Sequence, residues 1–381
     1  MGSSELGYVK RAEVTLADEK LAVEAFARDV EQQDMAGVVF FCSADYDLKK
    51  LADGLKGRFS CPVIGCTSAG EIGTRYQKGG MVGASFSSEV FRFHTVAIPS
   101  LNEFDEEQAQ CIAAELEGKL EFSDQLDSEK MFGLSLIDGL SMLEEQIVGP
   151  LYHALRGVSI VGGSAGDSLK FEKTHVYTGD GFYSNAAAFA LIETKVRFHT
   201  LKFQHFEPTG MDMVITRADP LTRTVYEIDG EPAAEAYANL LGLNVKQLDQ
   251  SVFSQHPLMI EMGNEWFVRA IKRANEDGSL AFICAIDNGL PLTLAKPLDF
   301  VDSLRLGISR LKKEFQGDTI ELALGFDCLW RRLEMKALDV QKPVERLLKE
   351  INFLGFSTFG EQFNANHVNQ TLTGVVIGKG R

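Results

Sequence analysis

Val63-Ile64-Gly65-Cys66-Thr67-Ser68-Ala69-Gly70-Glu71 recurs in outline at two later places in the chain. Ile160-Val161-Gly162 leads into Ser164-Ala165-Gly166-Asp167, and Leu354-Gly355-Phe356 leads into Thr358-Phe359-Gly360-Glu361. Each copy is a short apolar run with a glycine at or near its end, followed by a hydroxyl residue, a spacer, a glycine and an acid. The run reads as the end of a buried strand, and the glycines mark an exit where backbone must approach something closely. Free N–H groups and a hydroxyl at such a bend can cradle a ligand, although ordinary turns of a large α/β fold share the pattern.

The flanking segments alternate between the two periodicities. Helical spacing predicts helices over 17–33, 47–58, 105–120 and 143–155, and apolar runs predict strands over 37–41, 62–65 and 131–137. Residues 81–86 and 89–98 read as a hairpin. After Asp167 come strands at 174–177, 186–192, 196–206 and 211–216. A second unit begins near Pro220, with strands at 224–228, 266–271, 280–286, 320–326 and 371–377. Its helices fall at 232–241, 300–315 and 343–351. The fold class is α/β with mixed α+β character: two closely packed halves, 1–220 and 221–381, each with mixed sheets covered by helices. The repeated turn suggests an internal duplication of the two halves. No linker rich in Pro, Gly or Ser separates them.

With 381 residues the chain can bury a large core. Its formal charge of −16 argues against nucleic acid or an anionic membrane as partner. No apolar run approaches the roughly 18 residues a membrane span requires. Met1-Gly2-Ser3-Ser4 is a weak myristoylation match and lacks the features of a signal peptide. Cys42, Cys61, Cys66, Cys111, Cys284 and Cys328 are scattered, which fits reduced thiols and a cytoplasmic location better than a disulfide framework or zinc. Gly133-Leu134-Ser135-Leu136 lacks the second glycine of a hydrolase elbow, and no kinase or P-loop pattern occurs, so no enzyme is expected.

Taken together, the motifs resemble the FIST domain family over nearly the whole chain. They are the first two glycine turns, Arg156-Gly157, Asp229-Gly230 with Pro232-Ala233, Phe326-Asp327-Cys328 with Arg331 or Arg332, and the third glycine turn. The resemblance implies an intracellular signal-input protein with an N-terminal and a C-terminal FIST half. It carries Gly70, Glu71, Gly163, Ser164, Cys328, Arg331, Gly360 and Glu361 over as ligand-binding candidates. Gln204-His205-Phe206, with Pro208 and Gly210 after it, resembles the haem-binding, nitric-oxide-sensing branch that acts on a partner histidine kinase. That branch implies haem b, with His205 as axial ligand and Phe203, Phe206, Pro208 and Arg156 around the group.

Strand alternation puts His199, Leu201, Phe203 and His205 on one face, and an imidazole at the end of an apolar strand can face a pocket. A core histidine bonded to backbone is the plainer reading of the same residue. His175 and His367 are the alternative iron ligands, with His199 behind them. Two expectations follow. The first is a cytoplasmic haem-based nitric oxide sensor that regulates a kinase, either as a single chain or as a homodimer; the second is a haem-free sensor of a small metabolite such as an amino acid.

Overall fold

The computed structural model describes residues 7–380. The myristoylation match at Met1-Gly2 lies outside the described residues. Three sheets share one plan. In the first, Met35–Ser43 lies parallel to Val63–Ser68 and antiparallel to Met81–Ser87, with Val9–Val14 at the edge. In the second, Met131–Ile137 lies parallel to Ile160–Ser164 and antiparallel to Ala187–Thr194, with Phe91–Ile98 at the edge. In the third, Ile320–Cys328 lies parallel to Phe353–Thr358 and antiparallel to Leu372–Gly378, with Phe198–Phe203 at the edge. The mixed, helix-covered sheets are as the sequence implies. The internal repetition goes further than two halves, to three copies of one unit.

One correction follows from this plan. The segments 81–86 and 89–98 do not form a hairpin: Met81–Ser87 pairs within the first sheet and Phe91–Ile98 within the second. Pro220 lies in the turn between Phe206–Asp219 and Thr224–Ile228, which pair with each other.

Each sheet is buried on both faces, which explains why its central strands read as nearly continuous apolar runs. Outside the first sheet lie helices Glu19–Val30 and Leu48–Leu55, whose caps Asp18 and Asp47 accept from the N–H groups of Leu21 and Lys50. Outside the second lie Glu106–Glu117, capped by Asp105, and Glu144–Ala154. Outside the third lie Phe300–Glu314, capped by Asp299, and Gln341–Lys349. The inner faces meet in one core, and an aromatic pair marks each junction. Phe41 meets Phe356 at 4.4 Å, Phe132 meets Phe198 at 5.1 Å, and Phe86 meets Phe93 at 5.1 Å between ring centres.

The sheets also exchange short strands in a cycle, two of them directly after a glycine turn and the third after a loop that follows one. Glu71–Ile72 leaves the first sheet and pairs with Gly355 and Phe356 of the third. Glu361–Phe363 leaves the third and pairs with Val161, Gly162 and Gly163 of the second. Val176–Tyr177 leaves the second and pairs with Gly65 and Cys66 of the first. A further sheet, built on Phe206–Asp219 and Pro291–Pro297 with Leu258–Met262, packs against this core together with helix Ala233–Leu240.

Candidate functional site

The three glycine turns meet one another. The Ala69 N–H donates to the Ser357 carbonyl at 2.9 Å, and the Ser357 N–H donates to the Gly70 carbonyl at 2.7 Å. The Gly166 N–H donates to the Thr67 carbonyl at 3.0 Å, and the Ser164 N–H to the Gly360 carbonyl at 2.8 Å. The close approach marked by the glycines is therefore the approach of one turn to the next. A Cβ on Gly166 would lie 2.5 Å from the Ala69 nitrogen, and one on Gly360 would lie 2.1 Å from the His367 ring. Gly163 is packed just as closely against Thr358 and Phe326.

The acids and hydroxyls of the turns are occupied locally. Ser68 Oγ donates to Glu71 at 2.6 Å, and the Gly80 N–H donates to the other Glu71 oxygen at 3.2 Å. Asp167 accepts from the N–H groups of Phe171, Glu172 and Lys173. Glu361 accepts from the Thr371 hydroxyl at 2.7 Å and also binds the Thr358 hydroxyl, while Ser164 Oγ accepts from Gln362 Nε2 at 2.9 Å.

Burial pushes the Glu361 carboxyl up to about 8. The folded state thus holds a proton there that the unfolded chain releases near pH 4.5. The folded state is fully favoured below that pH and loses this contribution as pH rises through about 8. Glu361→Gln is expected to flatten the fall of Tm between pH 5 and 8 relative to the wild-type chain. Parallel Tm-versus-pH curves for the two proteins would refute this.

From the hub a buried polar chain runs outward. Arg332, on helix Leu329–Ala337, donates to the Ala69 and Gln77 carbonyls at 3.2 and 3.0 Å. Its neighbour Arg331 is buried and pairs through Nε with Asp327 at 2.7 Å, while the Tyr76 hydroxyl donates to the second Asp327 oxygen. Arg331 Nη1 lies 3.3 Å from His205 Nδ1, and His205 Nε2 lies 2.9 Å from Glu334 Oε1. A guanidinium only donates, so Nδ1 is the acceptor and the imidazole proton sits on Nε2, facing Glu334. Burial lowers the His205 pKa, which keeps the ring neutral at pH 7.

His205 is 1% exposed and lies between the rings of Phe206 and Phe300, at 4.2 and 4.5 Å. The face predicted for His199, Leu201 and Phe203 is real but meets a helix instead of a pocket, and the predicted strand 196–206 is broken, so that His205 lies between Phe198–Phe203 and Phe206–Asp219. His199 packs on Phe315, Phe203 against Gly307, and His205 on Phe300.

These residues do not fit a haem. Both ring nitrogens of His205 are engaged, and the two phenyl rings occupy the sides a macrocycle would need. Arg156 stands apart at the end of helix Glu144–Ala154, on the surface, paired with Glu117 at 3.0 Å. Pro208 lies within the strand that pairs with Pro291–Pro297, opposite Ala295. His175 is half-buried, with its backbone bonded to Thr67. His367 is fully buried beside Asn369, and burial lowers its pKa. Among the described residues no group of three or more His, Cys, Asp or Glu side chains is placed to hold a metal ion. Cys328 is fully buried, and desolvation together with Glu361 pushes its thiol pKa well up, the reverse of a reactive thiolate.

Glu334 is where the polar chain reaches a cleft. This opening, about 610 Å³, lies between helix Leu329–Ala337, the short helix Gln250–Gln255 and the segment from Pro297 to Val301. Trp330, Leu333 and Phe300 form its apolar wall, and Ser254 and Gln250 stand opposite. Glu334 Oε2 has no hydrogen-bond partner. Sequence reasoning missed this cleft, because helix Leu329–Ala337 follows its strand without a break and Glu334 belongs to no motif.

The N-terminal part matches the FIST N domain over residues 36–231, about half of the chain, and residues 233–364 match the FIST C domain. The chain belongs to the FIST family. It is therefore a sensory, signalling protein, and FIST N and FIST C meet on the strand Glu231–Pro232. An uncharacterized protein of Methanocaldococcus jannaschii is 25% identical, over 87% of this FIST chain and 70% of its own length. The comparisons reach the FIST family and not its haem-binding branch. No helix of the described residues is long and apolar enough to cross a membrane.

Proposed function

We propose that this FIST protein is a haem-free, non-catalytic sensor whose small-molecule ligand enters the cleft beside Trp330 and Glu334. The observation that carries this reading is the unpartnered Glu334 Oε2 at the cleft wall, on a carboxylate whose other oxygen holds His205. Buried carboxylate oxygens without donors are costly, and a ligand donor arriving there would relieve that cost. The same carboxylate is the outer end of the chain Glu334–His205–Arg331–Asp327–Tyr76. Binding would therefore bias the geometry of a network that ends beside the first glycine turn.

Output by contact with a separate protein, a histidine kinase, is the partner this reading favours, since the chain has no catalytic motif of its own. Nitric oxide sensing rests on haem, and the engaged His205 ring argues against it. The purified protein is expected to show no Soret band after incubation with haemin, and a band lost in His205→Ala would restore the haem reading.

A thermal-shift screen of the twenty amino acids and their decarboxylated amines tests the cleft. At least one compound is expected to raise Tm in the wild-type chain, and Ala337→Phe, which narrows the cleft, should abolish that shift. Shifts that persist unchanged in Ala337→Phe would place the ligand elsewhere and overturn the reading.

A further inference from the structure

The cleft has a chemical bias that narrows its ligand, an inference that rests on the reading above. Its two charged lining residues are Asp299 and Glu334, and no Lys, Arg or His lines it. One Asp299 oxygen caps its helix through the Asp302 N–H at 2.7 Å. Trp330 presents an aromatic surface of the kind that attracts organic cations.

Behind Trp330 a recess too narrow to hold a water molecule shares Gln250, Ser254 and Trp330 with the cleft. Gln370 lines this recess. It is 2% exposed and holds a left-handed backbone at φ 50°, and its Nε2 donates to the Ser254 carbonyl at 2.9 Å. A carbonyl only accepts, so this bond fixes the amide orientation and leaves Gln370 Oε1 as an acceptor without a donor. The unsatisfied buried groups on either side of Trp330, Glu334 Oε2 at the cleft and Gln370 Oε1 in the closed recess, are thus both acceptors. A ligand in the cleft that completes Glu334 supplies a donor.

We infer that the cleft is a site for a cationic organic amine, its ammonium on Glu334 against the Trp330 ring. A carboxylate would meet two carboxylates there and no cation, and like charges at close range repel. The inference therefore separates an amine from the amino acid that differs from it by one carboxylate.

The test uses the full chain carrying Trp266→Phe, so that emission reports Trp330 alone. Cadaverine is titrated against lysine, and agmatine against arginine. The amines are expected to change Trp330 emission saturably and to bind at least tenfold more tightly than the matching amino acids. Glu334→Gln, which keeps a hydrogen-bonding group facing His205, should weaken the amines at least tenfold, with the far-ultraviolet circular dichroism unchanged. Asp299→Asn retains the helix cap and should weaken them less.

No saturable response to either amine, or tighter binding of lysine or arginine, overturns the amine assignment. If those amino acids bind and Ala337→Phe abolishes it, the cleft stands and only the ligand class falls. If Ala337→Phe leaves amine binding untouched, the site itself is elsewhere and both readings fall.

Discussion

Asp327→Ala is expected to lower the free energy of unfolding by about 3–5 kcal/mol, read as a fall in the urea midpoint at unchanged slope. The cause is the charge left behind. Arg331 is 2% exposed, and its Nε has no other carboxylate at hydrogen-bond distance. Removing Asp327 strands that guanidinium in the interior and frees the Tyr76 hydroxyl as well. Replacing both charges, as Asp327→Leu with Arg331→Met, should recover much of the loss, because the cost lies in the unpaired ion more than in the absent pair. A single variant within about 1 kcal/mol of wild type would mean that water reaches this pair.

Gly166→Ala is expected to cost about 3 kcal/mol, the upper end for a forced fit into a packed interior. The added Cβ would meet the Ala69 nitrogen at 2.5 Å and the Ala69 Cβ at 2.9 Å, backbone of the neighbouring turn that cannot rotate away. Gly230→Ala is the control. Nothing lies within 4 Å of its Cβ, and its φ of 83° imposes only the left-handed penalty of about 1–2 kcal/mol. Equal midpoints for the two variants would show that the hub yields, and that its glycines have another reason to be there.

Much of the fold was legible because it is locally encoded. The run Met131 to Ile137 is apolar, buried throughout and bounded as expected. Asp18, Asp47, Asp105 and Asp299 start their helices where amphipathic spacing begins. The glycine turns were visible as a pattern, but their partner was not. Each turn closes on another turn roughly a hundred or more positions away, and no local periodicity encodes which strands share a sheet. Met81–Ser87 and Phe91–Ile98 have the alternation and spacing of a hairpin, yet the chain crosses between two sheets there. The candidate site was hidden for the same reason. His205 drew notice as an imidazole at a strand end, but the residues that decide its chemistry, Arg331 and Glu334, lie 126 and 129 positions away.

The cyclic exchange of short strands also sets an order of assembly. Glu71–Ile72 has its partners at Gly355 and Phe356, and Phe198–Phe203 has its partner in Leu372–Gly378. None of these ladders can close while the chain is still emerging from the ribosome with its last hundred residues unmade. The second sheet must wait with Ile160–Ser164 as an unpaired edge until Glu361–Phe363 is made, at a synthesis rate of about 5–20 residues per second. Such non-local pairing slows folding and exposes strand edges to other chains. The nascent protein is therefore a natural client for chaperones, and refolding from urea should be slow and increasingly prone to aggregation as concentration rises.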